Sequence, residues 1–389
     1  MHRSHPYDDT VHKKGDPDLN KQHETSHHDP TTKHLENPVD SEDSATHDGN
    51  VSSELGNIVY GITGLENLGN SCYMSSIIQC INNTIPLSMY FCNEVHLEHV
   101  NHDNASTRGV VAEEFGAVVR TLWSGQYRSI SYPGLKKVVA QHMKQFQGCI
   151  QQDSHEFHII LMDLLHEDLK RNIRKFSERE TGDENLSADQ AWGNFQMYNE
   201  SIIKFLFYGQ QKSTVRCCKC GKESVTYEVF SDLSLPLPNS SEECSLAECI
   251  NLYLRGEEIS GWNCSSCKEE GHAIKKFDIW RLPPILVIHL KRFYYEDRWR
   301  KRLTYVDFPL DLDMHQSTEL EEGFVNYKLY AVSNHYGSME GGHYTAFCKN
   351  ELYEKWYEFD DDNVSEISSD DVSSKSAYIL FYTSVECKI

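Results

Sequence analysis

The sequence reads Gly64-Leu65-Glu66-Asn67-Leu68-Gly69-Asn70-Ser71-Cys72-Tyr73-Met74 where a polar loop runs into a helical pattern. Two glycines and two asparagines in this loop are typical of tight turns. Apolar residues recur at helical spacing from Met74 onward, so we expect Cys72 in the first turn of a helix. The free N–H groups and partial positive charge of a helix start favour a thiolate, which is the nucleophilic form of cysteine. The pattern therefore makes Cys72 the candidate nucleophile.

The same loop contains donors for a developing oxyanion. Backbone N–H groups at a helix start can stabilise the negative charge on a carbonyl oxygen under attack. Asn67 stands five residues before Cys72 and supplies a side-chain amide that we expect to reach the same place. The loop alone is an incomplete site, because a cysteine nucleophile also needs a base that lies near it in space.

The candidate base is the histidine of GGHYT at residues 341–345. Its two preceding glycines allow a backbone or an extended substrate to pass close to the imidazole of His343. Two predicted strands form a hairpin here that brings Asp360 beside His343, where a carboxylate fixes the imidazole tautomer. The rival base is His335, and the alternative for Asp360 is a solvated turn.

Composition excludes several classes of protein. The chain has 389 residues, with 37 lysines and arginines against 59 aspartates and glutamates, and a formal net charge of −22. We expect no nucleic-acid binding, since phosphates need clustered Lys and Arg. We also expect no transmembrane segment, because the apolar runs are far shorter than the roughly 20 residues of a membrane span, and no secretory signal peptide. The 13 cysteines are therefore expected to be reduced thiols.

Composition changes sharply near residue 55. Residues 1–55 are polar and rich in histidine, and they cannot bury enough apolar area to offset chain entropy, so we predict a disordered tail. The remainder, residues 56–389, is predicted to be globular. Helical periodicity dominates to about residue 200, and short strands rich in β-branched and aromatic residues follow from about residue 205. Helices before strands indicate an α+β fold with segregated layers.

Two CxxC knuckles indicate a metal site. Cys217-x-x-Cys220 and Cys264-x-x-Cys267 stand 44 residues apart, and each tight turn can present two sulfurs to one tetrahedral Zn²⁺. The alternative is a set of buried reduced thiols. Cys218 falls outside the spacing and is interpreted as a bystander.

The motifs form one ordered set along the chain. GLENLGNSCYMSS, QQDSHEF, YAVSNHYGSMEGGHYTAFCKN and WYEFDDD, in this order, resemble the signature boxes of the ubiquitin-specific protease family. The resemblance extends from about Gly61 to Thr383. The intervening sequence, including LMDLLHEDL and LPPILVIHLKRF, is most similar to the catalytic domain of the endosomal UBPY-type branch.

This resemblance implies a papain-like cysteine protease fold with a thumb (about 61–200), fingers (about 205–280) and a palm (about 281–385). It matches the cysteine knuckles to a zinc ribbon in the fingers. One zinc ion per chain would be structural, because four thiolates leave no open coordination position for water.

The resemblance also assigns roles within the site. It makes Cys72 the nucleophile, His343 the base, Asp360 the residue that orients the base, and Asn67 an oxyanion donor. It implies contact with the tail of a bound ubiquitin at Gln152, Asp153, Gly341, Gly342 and Tyr344.

The function implied by the resemblance is that of a deubiquitinase, which hydrolyses the (iso)peptide bond after the C-terminal glycine of ubiquitin. Ubiquitin and ubiquitinated proteins would be its partners, together with an endosomal adaptor, in the cytoplasm and at endosomes. The chain departs from the family at Ser71 and Ser75, where Thr and Asn are usual, and its short tail differs from the large N-terminal regions of UBPY-type enzymes. The alternatives are a catalytically degenerate ubiquitin-binding module and a protease for general peptides.

Overall fold

The computed structural model describes residues 59–171, 186–239, 241–318, 323–338 and 341–386. The tail predicted at 1–55 lies outside the described residues. The α-helices in these ranges are α1 (Cys72–Asn82), α2 (Ile85–Cys92), α3 (His96–His99), α4 (Val110–Leu122), α5 (Pro133–His142), α6 (Ser154–Leu169), α7 (Ala188–Tyr198), α8 (Ile202–Phe207) and α9 (Leu246–Arg255).

The helices follow from apolar spacing and from capping. In α1, the side chains of Met74, Ile77 and Ile78 are fully buried, as expected for residues that share one face of a helix. Helix α6 begins after Asp153, whose carboxylate accepts hydrogen bonds from the backbone N–H groups of His155 and Glu156 at 2.7 and 3.1 Å. This N-cap satisfies donors that the helix itself leaves unpaired.

The strands are mostly short, and apart from the first two they follow α8 along the chain. They are β1 (Gly64–Leu65), β2 (Ser129–Ile130), β3 (Gly209–Cys217), β4 (Glu223–Phe230), β5 (Leu233–Leu235), β6 (Glu243–Ser245), β7 (Glu257–Asn263), β8 (Glu270–Arg281), β9 (Ile285–Leu290), β10 (Phe293–Tyr295), β11 (Trp299–Lys301), β12 (Tyr305–Asp307), β13 (Asp311–Asp313), β14 (Asn326–Gly337), β15 (Gly342–Asn350), β16 (Lys355–Asp360), β17 (Asn363–Ile367) and β18 (Ala377–Ser384).

The larger sheet has eight strands. Its order is β17-β16-β15-β14-β18-β9-β5, with β13 paired to β14. All of these pairs are antiparallel except β5 with β9. Helix α1 packs against β15 and β14, so the helix that begins at Cys72 lies directly on the strand that contains His343.

The central strands of this sheet are buried on both faces. In β9, Ile285 and Val287 pack into the cluster formed with the helices, whereas Leu286 and Ile288 belong to a second cluster on the opposite face. Side chains alternate between the two faces of a strand. The continuous apolar run ILVIHL at 285–290 is therefore the sequence of a strand covered on both sides.

The smaller sheet has four strands in the order β4-β3-β8-β7, and both CxxC knuckles lie at turns between its strands. The chain leaves this sheet between β4 and β7. There β5 pairs in parallel with β9 of the larger sheet, in the register Leu233 to Ile288. The residues predicted as fingers thus contribute a strand to the larger sheet.

The predicted fold class is confirmed. Helices α1 to α8 precede the four-stranded sheet, and the larger sheet is built mainly from the last hundred residues, so helical and strand layers are segregated. Helix α9 is the exception and lies among the strands. Within the described ranges, none of the helices has the length and apolar character needed to cross a membrane.

Candidate active site and metal centre

Cys72 is the first residue of α1, and 2% of its surface is exposed. The preceding residue, Ser71, is the N-cap. Its carbonyl oxygen accepts hydrogen bonds from the backbone N–H groups of Met74 and Ser75 at 2.9 and 3.0 Å. The N–H groups that precede these two at a helix start have no acceptor within the helix. The thiol of Cys72 therefore lies at the positive end of α1.

Asn67 shapes the loop before Cys72 and is itself held by Asp361. Its Oδ1 atom accepts hydrogen bonds from the backbone N–H groups of Gly69 and Ser71 at 3.0 and 3.1 Å. Its Nδ2 atom donates to Oδ2 of Asp361 at 2.8 Å. An amide nitrogen has two hydrogens, so the bond to Asp361 leaves one for another acceptor. Both ends of this side chain are thus fixed, and one donor hydrogen is available.

His343 and Asp360 meet at the open end of the β15–β16 hairpin. The Nε2 atom of His343 lies 2.5 Å from Oδ1 of Asp360. The two strands are paired from Ala346 to Asn350 on β15, so the contact between His343 and Asp360 lies just beyond the paired residues. Because Nε2 faces the carboxylate, Nδ1 is the ring nitrogen left to exchange a proton with a thiol.

The electrostatics of His343 are set by its two partners. A hydrogen bond with the thiol of Cys72 is the largest influence and, together with Asp360, raises the pKa of His343 to about 9, while burial opposes the rise. A group with this pKa is protonated at neutral pH. The arrangement therefore favours an imidazolium at His343, hydrogen-bonded to the side chain of Cys72.

His335, the rival candidate, occupies a different environment. It lies on β14 opposite Tyr344, with the two ring centroids 4.5 Å apart, and 4% of its surface is exposed. Burial, followed by the nearby charge of Lys301, lowers the pKa of His335 to about 3, so the ring is neutral. The structure brings His343, and not His335, to Asp360.

The residues expected to contact a substrate tail lie in two segments near His343. Asp153 caps α6, and its second carboxylate oxygen accepts a hydrogen bond from the hydroxyl of Tyr378 at 2.6 Å. Both carboxylate oxygens of Asp153 thus have protein partners. Gln152 is half-buried beside it. The other segment is the start of β15, with Gly341, Gly342 and Tyr344.

The two segments are joined by Gln151, which the sequence analysis did not single out. Its side-chain amide bonds to both the N–H and the carbonyl oxygen of Gly342. The doublet Gln151-Gln152 was visible in the sequence. Which of two adjacent glutamines faces a distant glycine depends on the packing, and local sequence does not contain that information.

A polar cluster that was not predicted begins two residues after Asp153. The Nε2 atom of His155 lies 3.0 Å from Oδ2 of Asp232, Ser234 donates to the same oxygen at 3.0 Å, and Nδ1 of His289 contacts Ser234 at 2.8 Å. Burial alone would raise the pKa of Asp232, but the hydrogen bond from His155 lowers it to about 2. The imidazoles of His155 and His289 stack at 3.7 Å, a geometry that suits a hydrogen-bonded network better than a shared metal ion.

The four cysteines of the two knuckles converge. Their sulfur atoms all lie within 4.8 Å of one another, with Cys217 4.0 Å from Cys267 and Cys220 3.6 Å from Cys264. A tetrahedral Zn²⁺ with bonds of about 2.3 Å separates its sulfurs by roughly 3.8 Å. The donor set and its spacing therefore fit zinc.

The two knuckles have the same backbone shape. The residue after each pair, Gly221 or Lys268, has a positive φ, 71° and 59° respectively. Its N–H donates to the carbonyl of the first cysteine, at 2.9 Å for Cys217 and 2.8 Å for Cys264. Glycine adopts this conformation without strain, whereas the lysine requires a supporting structure. A shared metal site accounts for two such turns facing each other.

A family comparison adds to this geometry. The family model described as ubiquitin carboxyl-terminal hydrolase matches residues 63–382, a range that contains every side chain of both sites. The chain belongs to the ubiquitin carboxyl-terminal hydrolase family.

Named relatives of this hydrolase family extend the comparison. Ubiquitin carboxyl-terminal hydrolase Usp2 of Drosophila melanogaster is 38% identical over 333 residues, which cover 83% of this chain and 35% of the relative. Ubiquitin carboxyl-terminal hydrolase 2 of Homo sapiens is 38% identical over 335 residues, which cover 83% of this chain and 55% of the relative. The chain therefore spans only part of the length of these two hydrolases.

A solved structure has the same fold. It is the SAGA Ubp8/Sgf11/Sus1/Sgf73 DUB module bound to ubiquitin aldehyde, with a TM-score of 0.65 and 26% identity over 84% of this chain and 70% of that chain. This similarity supports the predicted papain-like α+β fold. Relatives of the chain are named ubiquitin carboxyl-terminal hydrolase 2, 4 and 21. The family expectation is thus confirmed, while the UBPY-type branch is not specifically supported.

Proposed function

We propose that this chain is a thiol-dependent ubiquitinyl hydrolase that cleaves the peptide or isopeptide bond after the C-terminal glycine of ubiquitin. The observation that carries the proposal is the Cys72–His343–Asp360 arrangement in a chain of the ubiquitin carboxyl-terminal hydrolase family. The similar SAGA module was solved with ubiquitin aldehyde bound, which supports a site of this kind for a ubiquitin terminus.

The chemistry follows from the positions of the side chains. In the hydrogen-bonded pair, Nδ1 of His343 holds the proton that comes from the Cys72 thiol, and the thiolate attacks the carbonyl carbon of the terminal glycine. The imidazolium then returns the proton to the departing amine as the C–N bond breaks, which leaves a thioester. His343 next takes a proton from water, which attacks the thioester and releases the carboxylate with the thiol restored. Asp360 stabilises the imidazolium that forms in both stages.

Two donors are placed to stabilise the tetrahedral oxyanion. The backbone N–H of Cys72 lies in the first turn of α1 and has no helical acceptor. The second hydrogen on Nδ2 of Asn67 remains after the first is donated to Asp361. Preorganised donors of this kind are usually a large part of catalysis in acyl transfer.

A catalytically degenerate ubiquitin-binding module is the second candidate, and the departures at Ser71 and Ser75 are its support. Both serines have defined partners in the site. The Ser71 hydroxyl accepts a hydrogen bond from the N–H of Leu68 at 2.7 Å, and the Ser75 hydroxyl lies 2.9 Å from that of Tyr132. Because both fit the loop and α1 without displacing Cys72, we favour the active enzyme.

The four-cysteine site is proposed to hold one structural zinc ion per chain. Cys217, Cys220, Cys264 and Cys267 would be its ligands, and zinc would supply a crosslink between the two turns at the end of the four-stranded sheet. A site with four thiolates has no open position for a substrate or water. The zinc would therefore act on folding rather than on the hydrolysis.

The cellular setting is proposed on chemical grounds and on the sequence boxes. A nucleophilic thiol and four zinc-binding thiolates stay reduced in a compartment such as the cytosol, which supports the cytoplasm. Similarity to the UBPY-type branch in the sequence between the boxes is the support for work at endosomes with an adaptor, on ubiquitinated proteins.

A probe experiment tests the proposed function. Ubiquitin with a thiol-reactive group at its C-terminus should add one ubiquitin mass to the wild type and none to Cys72→Ala. The matched control is Cys149→Ala, because Cys149 is an exposed cysteine beside Gly69 in the loop before Cys72. This variant should be labelled as the wild type is. Labelling that persists in Cys72→Ala would remove Cys72 from the mechanism. Probe binding without any covalent adduct in the wild type would favour the degenerate module.

A further inference from the structure

One hydrogen-bonded contact joins the two segments on either side of the proposed tail site. The side-chain Nε2 of Gln151 donates to the carbonyl oxygen of Gly342 at 2.5 Å, and its Oε1 accepts from the N–H of Gly342 at 3.0 Å. A carboxamide presents its donor and its acceptor side by side. The side chain of Gln151 therefore pairs with both main-chain groups of Gly342, much as a residue of a neighbouring strand would.

The contact lies at the start of β15, on a strand edge that is only partly paired. Gly342 pairs with Gly337 of β14 along one edge of the strand. Along the other edge, the ladder with β16 begins at Ala346. The N–H and C=O groups of Gly342 therefore lie on a part of the strand edge that β16 does not cover. Gln151 forms hydrogen bonds with both of these groups.

The free edge lies next to the reactive side chains. Gly342 directly precedes His343, and alternate residues of a strand direct their N–H and C=O groups to the same edge. An extended peptide that approaches a strand edge binds through these main-chain groups. A substrate terminus with its last carbonyl at Cys72 would run past the start of β15, where Gln151 is already bonded.

The backbone at Gly342 has little freedom to move away from Gln151. A Cβ atom at this position would collide with the imidazole of His335 and with the carbonyl oxygen of Tyr336. The glycine is therefore seated against the β14 side of the hairpin. Release of the contact must come from the flexible and exposed side chain of Gln151, rather than from a shift of β15.

We propose that Gln151 is a positioning residue that occupies the main-chain groups of Gly342 in the free enzyme and gives them up to the extended glycine terminus of the substrate. This inference rests on the proposed function, because it assumes that a ubiquitin terminus is the substrate. The closed contact holds the start of β15, and with it His343, in place before binding. Because only molecules with a free Gly342 can bind, the closed contact weakens the apparent affinity for the substrate, which equals the intrinsic affinity multiplied by the free fraction.

The test is to remove both hydrogen bonds and keep the size of the side chain, with Gln151→Met. The matched control is Gln147→Met, an exposed glutamine four residues earlier. With a fluorogenic ubiquitin C-terminal amide, Gln151→Met should lower KM by about fivefold, with kcat changed by less than about threefold. The control should change neither value. A KM for Gln151→Met that is raised or unchanged would overturn the proposal.

Two further measurements separate this inference from the proposed function. In the inactive Cys72→Ala background, adding Gln151→Met should tighten the binding of free ubiquitin by a similar factor. Hydrogen exchange of peptides covering Gly342, measured without ubiquitin, should become at least about tenfold faster in Gln151→Met than in the wild type. Unchanged exchange would show that the contact does not protect Gly342, whatever the enzyme acts on. Faster exchange in Gln151→Met, together with a wild type that neither binds nor hydrolyses ubiquitin, would instead overturn the proposed function and the role of Gln151 in it.

Discussion

The Nδ2 atom of Asn67 lies 2.8 Å from Oδ2 of Asp361, which ties the loop before the nucleophile to the turn after Asp360. Asp361 has a positive φ of 51°, an unusual conformation for a residue with a side chain. Burial raises the pKa of its carboxyl group, and the hydrogen bond from Asn67 counteracts this rise. Asn67, the proposed oxyanion donor, is therefore oriented by a carboxylate that is next to, but distinct from, the one that contacts His343.

Substitutions at these two positions should have different effects. Asn67→Ala removes the acceptor for Gly69 and Ser71 as well as the donor, so we expect kcat to fall by about 10²-fold, as for other lost oxyanion donors, together with a lower Tm. Asp361→Ala leaves the loop acceptors in place, so we expect a smaller loss of kcat, about tenfold, with little change in KM. Steady-state kinetics and thermal unfolding check both. A larger loss for Asp361→Ala than for Asn67→Ala would contradict this account.

Substitution of the two histidines near the hairpin should reduce turnover to clearly different extents. His343→Ala removes the group bonded to Cys72 and Asp360, so turnover should fall by at least about 10²-fold, the lower end for a general base, while ubiquitin binding is retained. His335→Ala should lose far less turnover and should mainly lower Tm, because its ring is buried beside Tyr344. Kinetics with a fluorogenic ubiquitin amide and a binding measurement decide the ranking. The reverse order would identify His335 as the base.

Local features of the site were accessible from the sequence. The helix that begins at Cys72 and the two CxxC turns both involve residues within a few positions of one another, and spacing determines such features.

Long-range side-chain partners were not accessible in the same way. Asn67 and Asp361 are 294 positions apart, and Gln151 and Gly342 are 191 apart. A one-residue change in strand register turns every side chain to the other face, so which residue of a run meets a distant partner depends on the packed sheet. The family resemblance implies contact with the tail at Gln152, and the structure places the neighbouring Gln151 on Gly342.

The pH dependence of hydrolysis should report the pair formed by His343 and Cys72. The pKa of His343 is raised to about 9 by the thiol and by Asp360, so the imidazolium exists below that pH and is lost as the pH rises through it. We expect kcat/KM to fall above about pH 9. In Asp360→Asn, one of the influences that raise this pKa is removed, so the falling limb should move to lower pH, and the maximum rate should drop at least about tenfold.

Asp362→Asn is the matched control for this pH experiment. It removes the same charge two residues away, from an exposed side chain. Its falling limb should stay with that of the wild type. Equal shifts in both variants would mean that general surface charge, rather than contact with Asp360, sets the pKa of His343.

Substitutions at the zinc site should show whether the zinc ion has a structural or a catalytic role. Ligand thiolates couple metal binding to folding, so Cys264→Ser should lose zinc, with a reduced Tm and lower solubility, and its activity should follow the folded fraction. Cys218→Ser is the matched control, because Cys218 is exposed and lies between two ligands without belonging to the four sulfurs that converge. It should keep one zinc per chain.

Cys72→Ala should also keep its zinc, since Cys72 lies in α1 and the four converging cysteines lie at turns of the four-stranded sheet. Elemental analysis and thermal unfolding of the purified variants provide the measurement. A wild type that contains no zinc and stays folded and active after chelation would show that the four cysteines contribute only packing and bind no metal. Loss of zinc from Cys72→Ala with retention in Cys264→Ser would replace the thiol mechanism with that of a metalloenzyme.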